Sequence, residues 1–259
     1  MTTSTKQNPP AIVLENIFLS YDYGKEILFA PLNLRLSPGK WSCLLGTSGV
    51  GKSTLLKLIA GLIPGKIPGE NFQGKISGDN NLCISKHVAY MAQTDLLQPW
   101  FTALDNALLG YRLRGPISNE LLAQAKKLFL LAGLKGAEKK YPRQLSGGMR
   151  QRVALIRTLL EEKPIVLMDE PFSAVDTITR FQLQTLAAEL LKNRTVVLVT
   201  HDPLEALRLA DDIYILSGNP VNAKRVIQLE STAPRNMDNA EFIQYQGKLF
   251  DALTSGSEV

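Results

Sequence analysis

Nine consecutive residues carry the most specific chemistry in the chain: Gly46, Thr47, Ser48, Gly49, Val50, Gly51, Lys52, Ser53 and Thr54. Glycines at these positions let successive backbone N–H groups turn toward one point, an arrangement that surrounds the oxygens of a phosphate chain. A helix opening at Lys52 adds unsatisfied N–H donors and the partial positive charge of its N-terminus. Lys52 is then placed to reach the terminal phosphates, and the Ser53 hydroxyl to ligate Mg²⁺. A turn that only connects two elements has no need of Gly-Lys-Ser at a helix start.

A second set of residues fits the same chemistry. Residues 165–168 are an apolar run that ends in Asp169 and Glu170. Carboxylates at the C-terminal end of a buried parallel strand stand where open α/β sheets bind their ligands. Neighbouring side chains project differently, so Asp169 can hold the hydration shell of Mg²⁺ while Glu170 orients and deprotonates a water. His201 follows another apolar run and can reach a γ-phosphate. Ser146, Gly147 and Gly148 precede a helix and can form an anion site at its N-terminus; a serine cap with flexible neighbours explains them equally well. Tyr21 at a strand end either stacks on a base or packs on the sheet, and local sequence leaves both open.

These residues need a scaffold. Residues 41–45 read as a buried strand launching the loop. Residues 52–62 read as its receiving helix, with Leu55, Leu56, Ile59 and Leu62 on one side. Upstream, residues 11–19 and 27–36 read as strands flanking a turn at residues 21–25. Residues 63–81 are rich in Pro, Gly and Asn and read as loop and short strands. Residues 88–92 read as a strand ending at Gln93. Residues 102–112 and 118–132 then read as amphipathic helices, and residues 93–157 as a helical block inserted between strands. The helix after Ser146 carries Met149, Val153, Ile156 and Leu160 as its apolar stripe. Residues 177–191 and 204–210 read as helices, and residues 195–199 and 213–216 as strands. Residues 219–259 are polar and mixed, and suggest no chemistry. Residues 1–10 read as a frayed tail, and His87 as simply exposed.

The 259 residues are 45% hydrophobic and 20% charged, which suits a globular protein able to bury a sizeable core. The net charge of +5, from 29 basic and 24 acidic residues, permits contact with an anionic surface but argues for no particular partner. The two cysteines, Cys43 and Cys83, fit a reducing compartment, with Cys43 a core residue. No secretory leader is visible at the N-terminus, and no apolar run approaches the ~18 residues of a membrane span.

Taken in order, these motifs resemble those of the nucleotide-binding subunits of ABC transporters. The resemblance rests on residues 46–54, on Gln93 after a strand, and on the stretch Leu145, Ser146, Gly147, Gly148, Met149, Arg150, Gln151 and Arg152. It rests further on residues 167–171, on Ser173 to Asp176, and on His201. It implies an α/β fold: a P-loop NTPase core with an antiparallel β subdomain and an inserted α-helical subdomain. The 259 residues form one nucleotide-binding domain, with the core at about 11–92 and 158–230, the helical part at about 93–157 and a tail from about 231. It also implies a head-to-tail dimer of two copies enclosing two ATP molecules. Each site takes the phosphate loop from one copy and Ser146, Gly147 and Gly148 from the other. Tyr21 falls at the family's adenine-stacking position. Gln93 matches the glutamine that contacts Mg²⁺ and the attacking water, and Asp176 couples the two sites.

Residues 95–106, with Pro99, Trp100 and Phe101, are similar to the importer group for nitrate, sulfonates, taurine and thiamine precursors, and lean toward a pyrimidine precursor. In that group this segment receives a coupling helix from a separate integral membrane permease, which a solute-binding protein supplies. The resemblance places the subunit peripherally on the cytoplasmic face of the inner membrane, without nucleic acid. A soluble ABC-type ATPase acting on ribosomes or DNA is the alternative, distinguished by co-purification with a membrane subunit. A small-molecule kinase would leave Ser146 without a task, and phosphate transfer to an acceptor other than water would identify it.

Overall fold

The computed structural model describes residues 9–63 and 71–255. Most of the N-terminal tail, the Pro/Gly-rich centre of the expected loop at 63–81, and the last four residues lie outside that range. Along the chain, β1 (Ile12–Tyr21), β2 (Glu26–Leu36), β3 (Trp41–Leu45), α1 (Lys52–Ile59), β4 (Asn71–Ser77) and β5 (Val88–Met91) come first. The helices α2 (Ala103–Ala107), α3 (Leu109–Arg114), α4 (Asn119–Leu131) and α5 (Gly147–Leu160) follow. The chain then runs through β6 (Ile165–Asp169), α6 (Thr177–Leu190), β7 (Thr195–Val199), α7 (Pro203–Leu209), β8 (Asp212–Ser217), β9 (Asn222–Gln228) and α8 (Ala240–Ser255). One sheet has the order β2-β1-β4 and the other β5-β6-β7-β3-β8-β9.

The chain divides into two compact units. The first contains Met1–Val88, Pro164–Leu167 and Asn193–Val259. In it β3 runs parallel to both β7 and β8, and β9 closes the edge antiparallel to β8. Every residue of β3 and β7 is buried. This is why these strands read as continuous apolar runs rather than alternations: a sheet covered on both faces has no solvent side. The antiparallel sheet alternates instead, and its middle strand β1 bulges near Asn16. Asn16 has φ +51°, and a β-carbon on Gly74 opposite would lie 2.5 Å from the Asn16 carbonyl oxygen, so only glycine fits at 74.

The second unit contains Ala89–Lys163 and Met168–Lys192. Here α5 is the central helix, packed by α2 and α4. Four helices in it start on a side-chain cap: Thr102 for α2, Ser118 for α4, Ser146 for α5 and Asp176 for α6.

Several sequence expectations differ from the structure. The helix expected to reach residue 62 ends at Ile59, because Gly61 turns left-handed at φ +70°; Leu62 is exposed and Leu58 takes the buried position. The helix expected at 102–112 is two helices that meet at Leu108, whose ψ of 6° leaves the helical range. On α5 the buried face is wider than the expected stripe, and Met149 is only half-buried. His87 is half-buried rather than exposed. Residues 219–259, which suggested nothing, contain β9 and α8. Arg235, completely buried, fastens that segment by donating to the carbonyls of Leu207 and Ala210.

Candidate functional site

The candidate residues fall into two sets, one in each unit. In the first unit the loop from Gly46 to Gly51 leaves β3 at the carboxyl end of the parallel strands. Its glycines are required by space and backbone. A β-carbon on Gly46 would stand 2.6 Å from the Leu216 carbonyl oxygen, and Gly49 and Gly51 have φ of +84° and +104°. Thr47, Ser48 and Gly49 form the exposed crest. Gly51 caps α1 without a side chain, so no side-chain cap bond occupies that helix start, and its first turn holds no acidic residue. Oxygens of a phosphate chain suit such donors.

Lys52 is 6% exposed, and its Nζ donates to the carbonyls of Gly46 (2.7 Å) and Thr47 (2.8 Å). A buried ammonium requires such partners. Here they turn the cation back over the loop it follows. Ser53 and Thr54, one and two residues on, are half-buried.

The ends of two neighbouring strands flank this loop. The Thr200 N–H donates to the Leu44 carbonyl (3.4 Å), which brings the exposed His201 to the end of the sheet where the loop begins. Leu28 of β2 stands where a Gly51 β-carbon would meet it at 3.2 Å, so the β1–β2 hairpin borders the loop. Tyr21 pairs with Glu26 at the mouth of that hairpin and is half-buried. Beneath the loop Cys43 is fully buried. Burial first, then the charges of Glu205 and Asp202, push its thiol far above the usual range, so it is a neutral core group.

The second unit holds Asp169, the 2%-exposed last residue of β6, and then Glu170. Glu170 takes φ +48°, a left-handed conformation that costs a non-glycine residue on the order of 1 kcal/mol and persists only where surroundings enforce it. The Gln93 amide Nε2 donates to Glu170 Oε2 at 3.4 Å, so the two residues singled out for the attacking water are neighbours. Its amide oxygen is the other end of that group. The Asp169 carboxylate and the Gln93 amide oxygen in this unit, and the Ser53 hydroxyl in the first, are each hard oxygen donors of the kind Mg²⁺ takes. Tyr90 lies close to Asp169; burial, then that negative charge, pushes its phenol up to about 12, so it stays protonated.

Ser146 caps α5 by accepting from the Met149 N–H (3.2 Å), and both Ser146 and Gly147 are exposed. The two glycines are not equivalent. A β-carbon on Gly147 would meet nothing nearer than 3.9 Å, whereas one on Gly148 would stand 2.8 Å from the Ala174 carbonyl oxygen. Asp176 caps α6 by accepting from the Thr179 N–H (3.1 Å), and that bond holds its carboxyl below the usual range.

Two contributors lie within stretches that the sequence singled out, but had no role of their own there. Gln151, 5% exposed, bridges Glu170 and Ala174; a polar residue within an apolar helix face was the available sign. Asn106, fully buried, donates to the carbonyls of Gln98, Phe101 and Thr102 and accepts from the Gln98 N–H. It fixes the loop that displays Trp100, which is 66% exposed. Arg157 and Arg150 hold the start of the same segment: Arg157 bonds the Asp95 and Leu96 carbonyls, and Arg150 Nε lies 2.9 Å from Asp95 Oδ2.

A sequence model of the ABC transporter family matches residues 29–173. An uncharacterized ABC transporter ATP-binding protein of Haemophilus influenzae is 42% identical, over 91% of this chain and 96% of its own. An aliphatic sulfonates import ATP-binding protein of Rhodococcus jostii is 38% identical over 93% of each chain. Among solved structures, a dimeric bacterial ABC transporter cassette aligns with a TM-score of 0.72 at 31% identity, covering 85% of this chain and 99% of that one. A dimeric ATP-binding cassette in a post-hydrolysis state, bound to ADP and phosphate, aligns with a TM-score of 0.71 at 30% identity. With the glycine loop, the buried lysine and the paired carboxylates in place, the chain belongs to the ABC transporter family as an ATP-binding, ATP-hydrolysing subunit.

Proposed function

We propose that this subunit drives a solute importer, working as a head-to-tail pair of copies on a separate integral membrane permease. The observation that carries the nucleotide chemistry is Lys52, buried and turned onto its own loop by two carbonyls. ATP supplies the phosphate oxygens that such an ammonium and the open start of α1 attract. Tyr21 stacks on the adenine. Residues 46–54 of one copy hold the phosphates, and Ser146, Gly147 and Gly148 of the other copy close over them.

Hydrolysis is an in-line attack of water on the γ-phosphate, a reaction governed by positioning and charge neutralisation. Glu170 takes the proton of the water as the new P–O bond forms and ADP leaves. Gln93 keeps the Glu170 carboxylate oriented through the bond described above. Lys52 and His201 stabilise the charge that spreads over the phosphoryl oxygens. Mg²⁺, held through Ser53, Asp169 and Gln93, neutralises phosphate charge when bound. Asp176, at the cap of α6, couples the two sites of the dimer.

Residues 95–106 are the surface offered to the permease. No helix among the described residues is long and apolar enough to cross a membrane, and the exposed Trp100 and Leu96 suit a partner's helix. The subunit then sits peripherally on the cytoplasmic face. The sulfonate importers among its relatives support a sulfonate-type solute, delivered by a binding protein, ahead of the pyrimidine precursor suggested by residues 95–106. Copurification of the chain with its permease, followed by ATP-dependent uptake of a labelled alkanesulfonate into vesicles, tests the reading. Steady ATP turnover with no membrane partner and no uptake would overturn it.

A further inference from the structure

Resting on the reading of Glu170 as the base, we propose that Gln151 is a positioning residue for hydrolysis, through which helix α5 sets where that base stands. The side chain is used at both ends. Its Nε2 donates to the Glu170 carbonyl (2.9 Å) and to Ser173 Oγ (3.2 Å), while its Oε1 accepts from the Ala174 N–H (2.8 Å). A carbonyl can only accept and a backbone N–H can only donate, so one orientation of the amide satisfies both. The Ser173 hydroxyl and N–H also donate to the Glu170 carbonyl, at 3.1 and 3.3 Å.

This arrangement accounts for the backbone of Glu170. A glutamate at φ +48° is held there by its surroundings. The carbonyl of that same residue is gripped by Gln151 and Ser173, and its carboxylate is met separately by Gln93. The same helix touches the loop a second time: the close approach of Gly148 to the Ala174 carbonyl leaves no room for slack. A shift of the α5 tip therefore carries the 170–174 loop with it. Under the dimer reading, that tip faces the partner's nucleotide, so its engagement is transmitted to the base through Gln151. Gln151 needs no contact with nucleotide to do this.

The test uses the full chain. Gln151→Met keeps length and shape and removes all three hydrogen bonds. The expected result is a fall in kcat of at least about tenfold, with KM for ATP and ATP-driven dimerisation within about twofold of the parent. In a Glu170→Gln background the same substitution lowers residual single-turnover hydrolysis no further, because the base it positions is already gone. An unchanged kcat, a rise in KM that tracks a lowered unfolding midpoint, or losses that multiply in the Glu170→Gln background would each overturn the proposal. If Gln151→Met fails to fold, Ser173→Ala decides, since Ser173 is exposed. A lowered kcat at constant KM then supports it, and a parental kcat overturns it. Glu170→Gln alone separates the two levels. Near-normal turnover there removes the base assignment itself, whereas an inactive Glu170→Gln beside a parental Gln151→Met removes only the role of Gln151.

Discussion

Gly148 and Ala174 approach so closely that a β-carbon at 148 would stand 2.8 Å from the Ala174 carbonyl oxygen, while the same atom at Gly147 would meet nothing nearer than 3.9 Å. Two adjacent glycines of one motif thus serve different ends. Gly148→Ala forces the carbonyl or the helix start to move, an overpacking that typically costs about 1–3 kcal/mol. Its unfolding midpoint should fall along with its ATPase activity. Gly147→Ala should fold at least as well as the parent, since alanine favours helix, yet lose ATP-driven dimerisation if this face closes over the partner's nucleotide. A Gly147→Ala protein that dimerises and hydrolyses normally contradicts that placement.

Lys52 gives a second separation, between binding and turnover. Its ammonium already has two loop carbonyls as partners, so the free protein does not depend on phosphate to satisfy it. Lys52→Ala should therefore fold, but bind ATP more weakly by roughly 10²-fold, the usual scale for removing one partner of a buried charge pair. Equilibrium binding of a fluorescent ATP analogue reads this directly, and unchanged affinity would remove the lysine from the phosphates.

For Glu170 the expectation is the reverse. Glu170→Gln keeps the left-handed turn and the backbone bonds to Gln151 and Ser173 but removes the proton acceptor. Binding and dimerisation should persist while kcat falls about 10²-fold or more, the range of general-base contributions. Near-normal phosphate release in a steady-state assay is the result that would sink the assignment.

What could be read from residues alone follows from how local each signal is. The loop at 46–54 is contiguous, and the identities of Gly46 and Gly51 are dictated by a neighbouring carbonyl and by positive φ, so spacing alone disclosed it. The strands β3 and β7 were legible because burial on both faces leaves an unbroken apolar run. By contrast, Gln151 and Glu170 are 19 residues apart, and nothing in either segment names the other. The break at Leu108 and the end of α1 at Gly61 reflect single-residue backbone choices that periodicity does not register. The C-terminal region was opaque for a related reason. One of its anchors, the buried Arg235, reaches carbonyls more than 20 residues upstream, which no local pattern names.

That arginine leads to a prediction about pH. Arg235 is completely buried, with Asp211 and Glu241 at 4.0 and 3.9 Å. The two carboxyls move oppositely. Burial raises Asp211 above its ordinary value, although the Trp41 N–H and Arg235 oppose the rise. Burial also pushes Glu241 up, but bonds from the Ser231 hydroxyl and the Glu230 and Ser231 N–H groups outweigh it and hold Glu241 below the ordinary 4.5. A carboxyl lowered on folding contributes stability above its unfolded value, and that stability is lost as pH falls through the folded one. A raised carboxyl does the opposite: its ionised form is disfavoured in the fold, so stability declines as pH rises from its ordinary 3.8 toward the raised value. Glu241→Gln should therefore lower the protection of α8 amides against hydrogen exchange at pH 7, by less than about tenfold given its part-exposed setting. The difference from the parent should shrink as pH drops below 4.5. Asp211→Asn, which keeps an oxygen for the Trp41 N–H, should leave the parent's decline above pH 3.8 flatter. Exchange rates that depend on pH identically in all three proteins would remove both carboxyls from the anchoring of α8.

The displayed edge of the second unit supplies the last prediction. Trp100 stands 66% exposed on a loop that Asn106, 0% exposed, holds by its backbone. Exposure of a large aromatic on a fixed loop disfavours a role in the subunit's own core and suits a contact with another chain. The two residues should respond differently. Trp100→Ala removes surface area that the isolated subunit does not bury, so its unfolding midpoint and intrinsic ATPase rate should stay near the parent's. Copurification with the permease and solute-stimulated hydrolysis should drop, with the contact weakened by about 2 kcal/mol or more, as expected for a central aromatic anchor. Asn106→Ala removes the bonds to the Gln98 N–H and the Phe101 carbonyl and should destabilise the subunit itself by about 1–3 kcal/mol. If Trp100→Ala lowered stability as much as Asn106→Ala and left assembly intact, this edge would be part of the fold rather than the place where the transporter's motor meets its channel.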